Sequence, residues 1–221
     1  MPSPLTPSPE TKTQDPYSQY FKKCTALFRA RLQSANGSRV TEDCFRYDFY
    51  AALLQSGVKA HHCLLEYLHP HAQFKSREID FVHTDDSGKL LGAFEMKYFK
   101  AIPSGNQDRT AYMAKLIIDL MKLHFLPLPE ARKYMLLATD RVLVTYLNNE
   151  SLGFHDMLQS DLNKEFPLSP SHKKGELAHF RKVIEKDISS VLNPFDVTMR
   201  VRRVFEENIG DRHAVIAFEV L

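Results

Sequence analysis

Residues 77–100 read REIDFVHTDDSGKLLGAFEMKYFK. Two apolar runs, IDFV and AFEMKYF, flank the turn-forming DDSG, the pattern of a β-hairpin. Both runs carry charge where a strand interior normally rejects it: Asp80 in the first, Glu95 and Lys97 in the second. A two-residue loop at Ser87-Gly88 puts Asp80 opposite Glu95, and one at Asp86-Ser87 puts it opposite Ala93. In either register Asp80, Glu95 and Lys97 share one face, because side chains alternate with period two. An odd loop or a bulge breaks that arrangement. Carboxylates facing each other across a sheet repel. Burying them unpaired costs on the order of several kcal/mol. A divalent cation removes the penalty, and hard oxygen donors suit magnesium. An ammonium on the same face can position a water and neutralise charge developing on a phosphate.

The rest of the chain supplies the frame. Residues 1–15, MPSPLTPSPETKTQD, have four prolines and no apolar periodicity, which predicts a disordered tail with order beginning near Pro16. Tyr20, Cys24, Leu27 and Phe28 are spaced for a first helix over 17–32. Thr41 is placed to cap a second, with Phe45, Phe49, Ala52 and Leu53 as its stripe and Gly57 as its end. AHHCLLEYL, 60–68, reads as a strand. After the hairpin comes a long helix carrying Met113, Leu116, Ile117, Leu120 and Met121, stopped by LPLP at 126–129. KYMLLAT, 133–139, has the continuous apolar look of a strand buried on both faces. Helices are expected at 141–147 and 174–191, and strands at 197–205 and 213–221. From Thr41 the order is helix, three strands, helix, strand, which makes a mixed α/β sandwich.

IDFV followed by FEMKYF resembles the PD-(D/E)xK nuclease superfamily, the fold of many restriction endonucleases and archaeal-type junction resolvases. The matching positions are Ile79-Asp80 and, after 14 intervening residues, Glu95-Met96-Lys97. Ile79 stands where the family name places proline. The resemblance covers residues 41–139. It implies a restriction-endonuclease-like αβββαβ core, about 41–140 within a single domain from 17 onward, and leaves 141–221 as a C-terminal α/β extension. It implies that Asp80, Glu95 and the main-chain carbonyl of Met96 bind Mg2+ or Mn2+, and that Lys97 orients or activates the nucleophile. Many members add a glutamate on the first core helix. Glu42 matches by position, and Glu66 on the first strand competes with it. The implied activity is metal-dependent phosphodiester hydrolysis, with DNA as the expected partner. The alternative is a non-catalytic nucleic-acid-binding or assembly protein that keeps the fold. Cutting both strands of a duplex needs two sites, which raises a homodimer as an expectation.

Other features narrow the field. Net charge is only +2, so a nucleic-acid surface must be a local patch. Lys115, on the long helix, is placed either to touch a phosphate or to lie on a solvated face. Arg200 and Arg202 share a strand face, either as phosphate contacts or as charges guarding an edge. Cys24, Cys44 and Cys63 are an odd set in a long chain, which reads as reduced thiols in a cytoplasmic protein. No apolar run is long enough to span a membrane. Cys44, His61, His62, Cys63, His69 and His71 invite zinc, but on a strand the adjacent His61 and His62 point to opposite faces, which disfavours it. No Gly-x-Ser-x-Gly elbow, Walker loop or dinucleotide fingerprint is present.

Overall fold

The computed structural model describes residues 15–71, 74, 77–100, 106–159, 161–188 and 193–221. The expected N-terminal tail lies outside them, except for Asp15. Helices α1 (Ser18–Gln33) and α2 (Glu42–Leu54) lead into strands β1 (Cys63–Leu68), β2 (Glu78–Thr84) and β3 (Leu90–Phe99). Then come α3 (Asn106–Phe125), β4 (Arg132–Asp140), α4 (Arg141–Leu147) and α5 (Asp156–Gln159). β5 (Glu165–Leu168), α6 (Leu177–Asp187), β6 (Met199–Ile209) and β7 (His213–Val220) complete the chain. The strands form one seven-stranded mixed sheet in the order β1-β2-β3-β4-β7-β6-β5. β3 and β4 run parallel, joined through α3, and the other pairs are antiparallel.

Alternation along the central strands divides the core in two. Tyr134, Leu136 and Ala138 of β4 meet Phe21, Phe28, Phe45 and Phe49 from α1 and α2 on one side. Met135 and Leu137 face Met113, Leu116, Ile117 and Leu120 of α3, with Phe180 and Ile184 of α6, on the other. α2 closes with Gly57 at φ +91 and the Val58 N–H donating to the Leu53 carbonyl, a wrap that glycine makes at little steric cost. Thr41 does precede α2, but its hydroxyl reaches the Cys44 sulfur at 3.6 Å instead of capping an N–H.

Three expectations change. AHH is a 3₁₀ turn, Ala60–His62, and β1 starts only at Cys63. A short strand, β5, appears around Pro167, which the sheet tolerates because β5 is at the edge. β6, carrying Arg200 and Arg202, is covered by β5 and β7, so those arginines do not guard an edge. No helix among the described residues is long and apolar enough to cross a membrane.

Candidate functional site

The β2–β3 hairpin has a three-residue loop, Asp86-Ser87-Gly88, closed by the Asp85 N–H on the Lys89 carbonyl at 3.0 Å. An odd loop shifts the pairing by one residue. A bulge restores it: Thr84 pairs with Leu90 but His83 with Gly92, leaving Leu91 as the extra residue. Phe81 then faces Phe94, and Asp80 is level with Glu95.

Beyond Phe81 and Phe94 the β2–β3 ladder ends and side chains take over the backbone donors of β3. Asp80 Oδ2 accepts from the Met96 N–H at 2.7 Å, and Glu42 Oε2 accepts from the Tyr98 N–H at 3.3 Å. Glu42 arrives from the first turn of α2. One turn on, Arg46 Nη2 donates to Glu42 Oε1 and to Asp80 Oδ1, both at 2.8 Å. The N–H and C=O of one strand residue point the same way, so the Met96 carbonyl faces the same gap.

Glu95 and Lys97 project toward α3. Lys97 Nζ is 3.3 Å from Glu42 Oε1 and 3.5 Å from Asp119 Oδ2. Lys122 Nζ is 2.7 Å from Glu95 Oε1 and 3.0 Å from Asp119 Oδ1, and it donates to the Glu78 carbonyl at 3.2 Å. The Glu95 side chain is 0% exposed; Lys122 engages its Oε1, whereas Oε2, like Asp119 Oδ2, has no hydrogen-bond partner among the described residues. The ammonium offsets part of the desolvation and leaves Oε2 unsatisfied.

Burial drives the Glu95 carboxyl well above the ordinary glutamate range; nearby Asp119 and Asp80 raise it further and Lys122 opposes them. Burial alone would lower the Lys97 ammonium, but Asp119, Asp80, Glu42 and Glu95 outweigh it and hold its pKa above the ordinary lysine value. Lys97 is therefore a fixed cation at neutral pH, and a proton acceptor only under strongly alkaline conditions.

Searches against protein-family models, curated proteins and solved structures return no match. The site must be read from its own geometry.

Glu42, Asp80, Glu95 and Lys97 converge. Lys115 lies on the rim, lining a cavity of about 230 Å³ with Lys97, Asp119 and Lys122. Glu66 is level with Asp80 on the other side of β2, since Leu65 pairs with Phe81 and Tyr67 with Ile79. Its backbone is left-handed, φ +54, and its side chain is exposed. It shares a small cavity with Asp80 and Arg46, whereas Glu42 is bonded into the cluster. Arg200 and Arg202 are elsewhere, with β4 and β7 between their strand and β3. Arg202 is held by Glu219 and Arg200 pairs with Glu165. Sequence reasoning missed Arg46, Asp119 and Lys122. The signal for the last two was charge on α3 among residues buried on every side of the helix.

Proposed function

We propose that this chain is a metal-dependent phosphodiester hydrolase with a restriction-endonuclease-like core, acting as a DNA endonuclease. The observation that carries the reading is Glu95: a fully buried carboxylate with one oxygen, Oε2, unpartnered among the described residues, level with Asp80 and one face-sharing step from Lys97. The donors fit a hard divalent cation in kind, being anionic or carbonyl oxygens, one of them, Glu95 Oε2, unpartnered among the described residues. Asp80, Glu95 and the Met96 carbonyl would hold Mg2+ or Mn2+, with Glu42 beside them. When bound, the ion supplies Lewis-acid activation of water and phosphate. Lys97, kept protonated by its carboxylate neighbours, donates hydrogen bonds that orient the attacking water and offset charge on the phosphate. Lys115 on the cavity rim is placed to meet a backbone phosphate.

One observation favours a second reading. Arg46 already spans Glu42 and Asp80, and Lys122 sits on Glu95, so the cluster is largely neutralised from within. A non-catalytic nucleic-acid-binding or assembly protein would be built that way.

Plasmid nicking with Mg2+ or Mn2+ separates the two. The wild type is expected to cleave, with Lys97→Ala and Asp80→Ala slower by about 100-fold or more. The same ions are expected to raise the melting temperature of the wild type but not of Asp80→Ala. Equal cleavage by all three proteins would remove the triad. Neither cleavage nor a metal-induced shift would leave the neutralised cluster as the better account.

A further inference from the structure

We propose that His61, His62 and Asp86 form a binding site for a borderline divalent transition-metal ion of the zinc class, distinct from the carboxylate cluster. It lies at the loop end of the β2–β3 hairpin, whereas Asp80 and Glu95 lie toward its other end. Its ligand atoms, one ring nitrogen from each histidine and one carboxylate oxygen, are all within 4.8 Å of one another.

The 3₁₀ turn creates the site. On a strand, adjacent histidines diverge. In the turn Ala60–His62 their rings approach to 4.4 Å between centroids at 77°. His62 Nε2 is 3.0 Å from Asp86 Oδ1, and the His62 side chain is only 11% exposed. No hydrogen bond engages the exposed His61 ring among the described residues, so its nitrogens are available.

Both ligand-bearing segments are held in place independently of any ion. The Thr84 hydroxyl donates to the His62 carbonyl at 3.3 Å, tying the turn to β2. Asp85 Oδ1 accepts from the Ser87 N–H at 2.8 Å, the Ser87 hydroxyl at 2.6 Å and the Lys89 N–H at 3.0 Å, which fixes the loop that presents Asp86. Gly88, at φ +81, completes the loop. A site whose ligands are already positioned loses little entropy on binding.

The donor set selects the ion. Two imidazoles and one carboxylate suit Zn2+, Co2+ or Ni2+, while Mg2+ prefers oxygen alone. Three protein ligands leave a coordination position for water. Lys59, 2.6 Å from Asp86 Oδ1, is the competing cation and must yield that oxygen. Bound metal would clamp the α2–β1 connection to the hairpin tip.

The test is Zn2+ titration calorimetry, with Co2+ absorption as a second readout. It uses the full chain, freed of metal by chelation, in the presence of excess Mg2+. The wild type is expected to bind one equivalent. His61→Ala and Asp86→Asn are expected to weaken binding at least about tenfold, with unchanged circular dichroism, since both side chains are exposed. Glu95→Gln is expected to bind as the wild type does, because it alters only the carboxylate cluster. Absence of saturable Zn2+ binding by the wild type, or equal affinity in His61→Ala and Asp86→Asn, would overturn the proposal. Loss of binding in Glu95→Gln alone would do so too, by assigning the ion to the carboxylates.

Discussion

Two glutamates are buried in this sheet, and they are buried differently. Glu219 on β7 is 2% exposed, and each of its oxygens takes a guanidinium. Arg132 Nη1 donates to Oε1 at 2.5 Å and Arg202 Nε to Oε2 at 2.6 Å. Arg202 is its direct cross-strand partner, so register alone delivers it. Glu95 on β3 has one ammonium, 2.7 Å from Oε1, a second carboxylate, Asp119, close by, and no partner on Oε2 among the described residues. Both are charges inside apolar strands. What separates them is satisfaction: Glu219 closes a structural ion pair, whereas Glu95 retains acceptor capacity that an arriving cation can use.

The largest expected effect sharpens that contrast in activity. Glu95→Gln should cut nicking by about 100-fold or more, while Glu219→Gln should leave the rate per folded molecule unchanged. Similar losses in both would put catalysis outside the β3 cluster. Next comes stability. Glu219→Ala strands two guanidiniums and should cost about 3 kcal/mol by urea denaturation, at the low end for a broken buried pair because the Arg132 side chain is 42% exposed. Glu95→Gln should change stability by less than about 1 kcal/mol, since the isosteric amide keeps an oxygen for Lys122 and Asp119 still pairs with that ammonium. A Glu95→Gln loss as large as that of Glu219→Ala would break the comparison.

The smallest effect is in pH. The Glu95 pKa is raised above its ordinary 4.5, so in the window between the two values the folded state binds more protons than the unfolded state. That contribution to stability is fully present below about 4.5 and is lost as pH rises toward the folded value. In chelator, Glu95→Gln should therefore gain on the wild type between pH 5 and pH 8. Parallel stability curves for the two proteins would mean that Glu95 titrates normally.

Much of the frame was legible. The stripe of α1, the apolar continuity of β4 and the LPLP stop after α3 are local signals, and each element formed where its signal lies. The AHH segment was misread because a 3₁₀ turn before a strand has no periodicity to announce it. β5 was missed because Pro167 argues against a strand unless the edge position is known. From the sequence Arg202 is open between a phosphate contact and a charge guarding an edge, because the carboxylate that holds it, Glu219, is distant in the chain.

By itself, the sequence determined the element order from α1 to β4 and the presence of Asp80, Glu95 and Lys97 in one paired region. Side-chain alternation and turn chemistry act over a few residues and need no knowledge of the rest. The register was decided only in three dimensions, where an odd loop and a bulge at Leu91 cancel. So were the partners of each charge: Arg46 on Asp80, Lys122 and Asp119 around Glu95, and Asp86 beside His61 and His62. Ion pairing and ligation depend on distances of a few ångströms between segments far apart in the chain, and packing of α2 and α3 against the sheet sets those distances.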